Sequence, residues 1–249
     1  MRNASAERRC PELLGPIGIA FAVALVLGML GATVRAAAPE TAPTTNFRKV
    51  LFLGNSITLH GPAPKIGWVG NWGMAASAAE KDFVHIVTSS LANASGAEPE
   101  AMVENIATFE RQYADYDLHA NLKEAFEFNA DLVIVAIGEN VPGLGSEKEE
   151  AQFEASVEEL LKLVRADRHP TIIVRSCFWP NRAKDEALRQ ACQQFEGIFV
   201  DISGLSKDES NYARSERDFQ HAGVAAHPGD RGMQAIAGAI LKALRSNLP

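Results

Sequence analysis

Short apolar runs alternate with amphipathic stretches along most of this sequence. The apolar runs cover residues 49–53, 101–106, 132–137, 171–175 and 198–202, and their length and β-branched content are typical of buried strands. Helical spacing of apolar residues predicts helices over 70–94, with a break near Lys81, and over 118–128, 147–165, 184–195 and 230–244. Strands that alternate with helices pair in parallel through right-handed crossovers. The pattern therefore predicts an α/β protein, a three-layer α/β/α sandwich around a five-stranded parallel sheet.

Polar and aromatic residues follow the predicted strands at the ends where ligands bind. In an open parallel sheet covered by helices on both faces, the crevice beyond the carboxyl ends of the strands is the usual binding site. Six positions are expected to project toward this rim: Ser56, the segment 105–108, Asn140, Trp179, Asp201 and His227. This convergence predicts one site built from several loops.

The N-terminus has the pattern of an export signal. Three arginines in the first nine residues precede an uncharged apolar run over about residues 13–34, and small residues follow it. We expect a signal peptide over 1–36, a linker over 37–47 and a single domain over 48–249, with the mature protein in the periplasm or outside the cell. The apolar run is long enough to span a bilayer, so an uncleaved membrane anchor is the alternative.

The composition and the positions of the His and Cys residues limit which partners, metal sites and disulfides are expected. Lys and Arg total 24 against 31 Asp and Glu, and this acidic balance argues against nucleic acid as a partner. His60, His85 and His119 do not share a ligand-like spacing, so neither a metal site nor another cofactor is expected. Cys177 should end a strand and Cys192 should lie turns into the next helix, which is too far apart for a disulfide.

Three motifs in a fixed order carry the candidate chemistry. Gly54-Asn55-Ser56 ends the first apolar run, Gly138-Glu139-Asn140 follows the third, and His227-Pro228-Gly229-Asp230 opens the last predicted helix. A Ser in one such turn is usually only a helix cap, but a hydroxyl, an amide and an imidazole in this order are more specific. Over residues 48–246 the chain resembles the SGNH branch of the GDSL esterase and lipase family. The resemblance implies the flavodoxin-like SGNH hydrolase fold and a serine hydrolase that acts on ester bonds.

The resemblance also implies a role for each motif. Ser56 would be the nucleophile and His227 the base that takes its proton, which imidazole can do near neutral pH. The backbone N–H of Ser56 and the side-chain amide of Asn140 would stabilise the oxyanion, each donor contributing about 3 to 4 kcal/mol. The family's third donor is the N–H of a glycine after the second strand, and the nearest match here is Ala107.

One departure from the family concerns the acid that orients the histidine. The family has Asp three residues before its His, whereas this chain has Val224. Either another carboxylate completes a triad, with Asp218 as the candidate, or a main-chain carbonyl accepts the imidazole N–H, which we favour. Asp218 also begins an Asp-x-x-His pattern that makes His221 a rival base. We prefer His227 because the residues after it match the family motif.

Two tryptophans flanked by glycines follow the serine turn. Trp68 and Trp72 lie within residues 67–73, and Trp179 follows the fourth predicted strand. Aromatic faces can stack on sugar rings, although large aromatic side chains are as often part of a core. We expect these three residues and His60 to bind substrate.

These expectations favour an exported, metal-independent serine esterase. Its substrate would be an O-acyl ester, with O-acetyl as the first candidate, on a carbohydrate, and catalysis would pass through an acyl-enzyme. A lipid or thioester hydrolase and an O-acyltransferase are alternatives that use the same residues. A non-catalytic sugar-binding protein with this fold is a further alternative, which Val224 favours and the retention of Ser56 and His227 opposes.

Overall fold

The computed structural model describes residues 46–166 and 168–247, and a parallel sheet forms their centre. Its strands are β1 (Lys49–Gly54), β2 (Glu100–Asn105), β3 (Leu132–Ala136), β4 (Thr171–Arg175) and β5 (Ile198–Val200). All neighbouring strands pair in parallel, in the order β2-β1-β3-β4-β5. This is the flavodoxin-like strand order. The predicted five-stranded parallel sheet is confirmed, and each predicted strand lies within two residues of the observed bounds.

The helices differ more from the prediction than the strands do. They are α1 (Phe83–Ser95), α2 (Ala107–Gln112), α3 (Leu118–Asn121), α4 (Lys123–Glu127), α5 (Glu147–Arg165), α6 (Arg182–Gln194), α7 (Ala222–Ala225) and α8 (Asp230–Asn247). The predicted helix over 147–165 is confirmed at both ends. The predicted helix over 118–128 is two short helices, α3 and α4. Neither α2 nor α7 is predicted from the sequence.

The predicted helix over 70–94 is wrong in its first half. Helix α1 begins only at Phe83, where the Asp82 side chain accepts a hydrogen bond from the His85 backbone N–H at 2.8 Å. The residues before it form a loop that packs around the serine turn, with the Met74 N–H bonded to the Ser56 carbonyl at 2.8 Å. Gly70 permits this loop, because a Cβ there would lie 2.5 Å from the Trp68 ring. Tertiary packing therefore overrides the helical pattern before Asp82.

Apolar side chains cover both faces of the sheet. Leu51 and Leu53 of β1 pack with α5 and α6 on one face, while Val50 and Phe52 pack with α1 and α8 on the other. This alternation follows from the two-residue period of a strand. The three-layer α/β/α architecture is confirmed, and it leaves the carboxyl ends of the strands open between the helix layers.

Two other expectations concern the cysteines and the N-terminus. Cys177 and Cys192 are both buried and free, as predicted. The predicted signal peptide over 1–36 and nearly all of the predicted linker over 37–47 lie outside the described residues. Among the residues that are described, the longest apolar helices fall short of what is needed to cross a membrane.

Candidate active site

A pocket of about 300 Å³ lies at the carboxyl ends of the central strands. It is lined by Ser56, His60, Met74, Asn105, Ala107, Thr108, Arg111, Asn140 and His227. All of these except Met74 and Ala107 are polar. The structure thus brings Ser56, Asn140 and His227, which are far apart in sequence, into one polar pocket.

The serine is held at the end of β1 by a tight turn. The backbone N–H groups of Thr58 and Leu59 both donate to the Asn55 carbonyl at 2.9 Å, and the Asn55 side chain accepts from the Ile57 N–H at 3.1 Å. Gly54 is required here, because a Cβ at this position would lie 1.9 Å from the Thr58 hydroxyl oxygen. The buried strand therefore ends abruptly and leaves Ser56 facing the pocket.

His227 contacts Ser56 directly. The Ser56 Oγ lies 2.8 Å from His227 Nε2, and His227 Nδ1 lies 2.7 Å from the Gly223 carbonyl oxygen. A carbonyl can only accept, so Nδ1 carries the proton and Nε2 accepts from the serine hydroxyl. Burial lowers the pKa of His227, and the hydrogen bond to Gly223 opposes this effect. The imidazole is therefore neutral near pH 7, in the form that can take a proton.

The Gly223 carbonyl is available because α7 is short. The last carbonyls of a helix have no partner within the helix. In α7 the Ala222 carbonyl accepts from the Ala226 N–H at 3.0 Å and the Val224 carbonyl accepts from the His227 N–H at 3.0 Å. The Gly223 carbonyl between them is left for the imidazole ring. One turn of helix thus orients the side chain that follows it.

The acid hypothesis for Asp218 is corrected by this geometry. A main-chain carbonyl occupies the acceptor position at His227 Nδ1, and within the described residues Asp218 forms neither a hydrogen bond nor an ion pair with His227. Val224, at the position of the family's acid, is only 2% exposed and packs in an apolar cluster with Trp68 and Met74. Of the two alternatives raised by the sequence, the structure has the carbonyl-oriented pair.

His221, the rival base, has a different position. Its Nδ1 accepts a hydrogen bond from the Gly223 N–H at 3.1 Å, so it caps the N-terminus of α7. Its side chain does not line the pocket. The imidazole that meets Ser56 is that of His227.

Two of the three expected oxyanion donors are available. Within the described part of the chain the Ser56 backbone N–H has no acceptor. The Asn140 side chain lines the pocket, and its Nδ2 donates to Glu110 Oε2 at 2.7 Å, which uses one of its two N–H groups. The third expected donor is not available, because the Ala107 N–H already donates to Asn105 Oδ1 at 3.0 Å. Ala107 borders the pocket as an apolar surface, and this hydrogen bond occupies the N–H that was expected to act as a donor.

Solved structures share this architecture. No family model matches the sequence, and no curated protein matches it significantly. A mutant of an acetyl-xylooligosaccharide esterase from Geobacillus Stearmophilus is 20% identical, with 79% of this chain and 94% of that chain covered and a TM-score of 0.50. A family two carbohydrate esterase from Cellvibrio japonicus is 18% identical, with 85% and 63% covered and a TM-score of 0.50. A GDSL-like structure from Bacteroides ovatus ATCC 8483 is 13% identical, with 82% and 100% covered and a TM-score of 0.52.

The chain has the SGNH hydrolase fold. At these identities the likeness is one of fold, so the chemistry of the site depends on the residues of this chain.

Beneath the pocket of this SGNH fold lies a buried network of charges. The side chains of Arg175 and Glu139 are 0% and 3% exposed, and their closest N···O distance is 2.6 Å. The Asn55 amide bridges Glu139 at 2.6 Å and Glu110 at 3.1 Å. Burial and the charge of Glu139 raise the pKa of Glu110. Burial acts to raise the pKa of Glu139 as well, but the charge of Arg175 and its hydrogen bonds hold that pKa below its ordinary value.

The three tryptophans, all in the described part of the chain, lie outside the lining of the pocket. Trp68 is 6% exposed and donates its ring N–H to the His60 carbonyl at 2.9 Å, so little of its ring is open for the expected substrate binding. Trp72 is half-buried against Trp68, donates to the Ala76 carbonyl at 3.0 Å, and does not line the pocket. Trp179 packs edge-on against His227, with ring centroids 5.5 Å apart. His60 lines the pocket, and its role in substrate binding stays a prediction.

Several contributors to the site are missed from the sequence. Met74 and Arg111 line the pocket, and Gly223 and Glu110 contact its functional side chains. Arg111 and Glu110 could have been found only by recognising α2 directly after β2. A main-chain acceptor such as Gly223 has no side-chain signal at all. Among the described residues, no group of three or more His, Cys, Asp and Glu could hold a metal ion.

Proposed function

We propose that this protein is a metal-independent serine esterase that hydrolyses an O-acyl ester, with O-acetyl as the first candidate, on a carbohydrate. The observation that carries the proposal is the 2.8 Å contact between Ser56 Oγ and a neutral, oriented His227 in a pocket that also contains Asn140. A hydroxyl beside an oriented base and fixed donors is the arrangement that acyl transfer to serine requires.

The reaction follows from these positions. His227 Nε2 takes the Ser56 proton as Oγ attacks the ester carbonyl carbon, and the Ser56 N–H and the Asn140 amide stabilise the oxyanion. The tetrahedral intermediate collapses as the bond between the acyl carbon and the sugar oxygen breaks, and the imidazolium donates its proton to that oxygen, which leaves as a hydroxyl. Water then attacks the acyl-Ser56 with His227 as base. The second collapse releases the carboxylic acid and restores the serine hydroxyl.

A carbonyl can replace the usual acid in one of its two tasks. In a triad the carboxylate both fixes the imidazole tautomer and stabilises the imidazolium. The Gly223 carbonyl fixes the same tautomer, because it accepts from Nδ1 and leaves Nε2 free for the serine. Part of the second task falls to Glu139, whose negative charge raises the pKa of His227 and so favours its protonated form.

The size and polarity of the pocket support a short acyl group on a polar alcohol. A volume of about 300 Å³ is at the lower end of the range for ligand pockets, roughly 300 to 1,000 Å³. Asn105, Thr108 and Arg111 offer hydrogen bonds that a long acyl chain could not use. The names of the structural neighbours, an acetyl-xylooligosaccharide esterase and a carbohydrate esterase, support the same substrate class.

The test is turnover of matched substrates by the wild type and by Ser56→Ala. Acetylated xylooligosaccharides and p-nitrophenyl esters from acetate to octanoate should show the highest kcat/KM for acetyl, and Ser56→Ala should abolish it. A fluorophosphonate should label the wild type but not Ser56→Ala. Binding of acetylated oligosaccharide without turnover would refute the proposal. Transfer of the acyl group to an added sugar, with little free acid formed, would indicate an acyltransferase.

The two histidines provide a matched pair of variants. His227→Ala should be as damaging as Ser56→Ala, because it removes the imidazole in contact with Oγ. His221→Ala should be far milder, because it weakens the cap of α7 but removes neither the His227 imidazole nor the Gly223 carbonyl that orients it. The opposite ranking would assign the base to His221.

A further inference from the structure

Glu110 is a buried carboxylate directly behind the pocket. It lies in α2, its side chain is fully buried, and Oε2 accepts from the Asn140 side-chain Nδ2 at 2.7 Å. A buried carboxylate is costly to a fold unless it is well bonded. Its presence beside the one side-chain oxyanion donor therefore needs a reason.

The hydrogen bonds of Glu110 converge on the segment that carries Asn140 and on the serine turn. Oε1 accepts from the Gly138 N–H at 2.6 Å, from the Asn140 N–H at 3.2 Å and from the Asn55 amide at 3.1 Å. With the Asn140 side-chain bond, one carboxylate holds both the main chain and the side chain of Asn140. Gly138 has a positive φ of 119°, which glycine adopts readily, and because glycine is conformationally free, the contacts of this segment restrict its shape.

We propose that Glu110 is a positioning residue that fixes the Asn140 amide so that its second N–H faces the oxyanion. This inference rests on the proposed esterase function. The Asn140 side chain ends in a torsion with a broad energy profile, so packing alone would not hold the amide in one orientation. The Glu110 carboxylate supplies the missing constraint, because it takes one N–H and leaves the other directed into the pocket.

If Glu110 acted only through its negative charge, it would slow catalysis, whereas a positioning role would speed it. A carboxylate one hydrogen bond behind the amide disfavours negative charge on the reacting oxygen, so removing that charge should by itself raise kcat. Positioning predicts a fall in kcat, since a misoriented donor no longer stabilises the transition state. The sign of the change in kcat therefore separates the two roles.

The experiment is a double-mutant cycle on kcat and KM. Glu110→Gln replaces an acceptor by a donor that faces Asn140 Nδ2, and we expect kcat to fall about 10- to 100-fold with KM within about twofold. Asn140→Ala should lower kcat about 100- to 1,000-fold. Because Glu110 acts through Asn140, the double variant should be no slower than Asn140→Ala alone. Glu124→Gln, an exposed Glu-to-Gln change on α4, is the control and should leave both constants unchanged.

Glu110→Asp guards the test against misfolding of the Gln variant. It keeps the charge but withdraws the acceptor by one methylene, so the same loss of kcat, again suppressed in the Asn140→Ala background, is expected. An unchanged or raised kcat in a folded Glu110 variant, or losses that multiply in the double variant, would overturn the inference. If the wild type has no turnover, or if Ser56→Ala retains it, the esterase function itself fails and this inference fails with it.

Discussion

Restoring the family's acid at position 224 should damage the protein instead of improving it. Val224 is 2% exposed and packs against Trp68, Met74, Ala75 and Ala213. The Gly223 carbonyl already holds the imidazole, so the carboxylate introduced by Val224→Asp has no free N–H of His227 to accept from. We expect no gain in kcat and a large loss of stability.

The magnitude of that loss can be worked out in two parts. Removing the buried valine side chain costs about 1.5 to 3 kcal/mol. Keeping the new carboxyl neutral at pH 7, against an ordinary pKa of about 3.9, costs at most about 4 kcal/mol, since each pKa unit is worth about 1.4 kcal/mol. The sum is a large fraction of the total stability of a typical domain, about 5 to 15 kcal/mol.

The charge part has a distinctive pH dependence. Burial raises the pKa of the introduced carboxyl in the folded state above its unfolded value, so the penalty is absent at low pH and grows as the pH rises above about 3.9. Val224→Asn has the same shape without the charge and is the matched control. Urea unfolding should separate the two variants by up to about 4 kcal/mol at pH 7 and by less than about 1 kcal/mol at about pH 4.5. A rise in kcat in Val224→Asp, or equal stability of the two variants at pH 7, would refute the reasoning.

Three further predictions concern the surroundings of His227. Asp218→Asn should leave kcat within about twofold of the wild type, because a main-chain carbonyl and not Asp218 accepts the hydrogen bond from His227 Nδ1. A loss of orders of magnitude in steady-state assays would restore the triad hypothesis. Catalysis needs the neutral form of His227, and burial lowers the pKa of this histidine. In a profile of kcat/KM against pH, activity should therefore be lost as the pH falls, with the acidic limb below pH 6.5. Trp179→Ala should lower kcat about tenfold with little change in KM, because the ring that packs against the His227 imidazole is removed. A raised KM with an unchanged kcat would instead indicate that Trp179 stacks on the sugar of the substrate.

The sheet and the convergence of the site could be predicted because they depend on local signals. Each strand is a short apolar run, and parallel strands bring the residues after them to one edge. This was enough to expect Ser56, Asn140 and His227 in one place. The predicted break near Lys81 agrees with the start of α1 at Phe83, but the loop before it is not predicted, since the packing of Trp68 against Gly70 depends on how the whole loop folds around the serine turn.

The parts of the site that were missed have no local signature. Glu110 lies in a short helix, where a single Glu is usually solvated, and its burial depends on its meeting with Asn140. Arg175 gave a faint signal as a charge at the end of an apolar strand. Gly223 acts through its main chain, so its side chain could not indicate the role. Such contributions are visible only when the chain is folded.

The group that orients His227 is a main-chain carbonyl of α7, so activity depends on the integrity of this very short helix. Helix α7 has four residues, and no substitution at Gly223 can delete its carbonyl. Small elements of this kind can open locally at a free energy well below that of global unfolding. Hydrolysis should therefore fade on mild heating or in low denaturant while the sheet is still intact. In this protein the rate of ester cleavage would act as a reporter on one turn of helix.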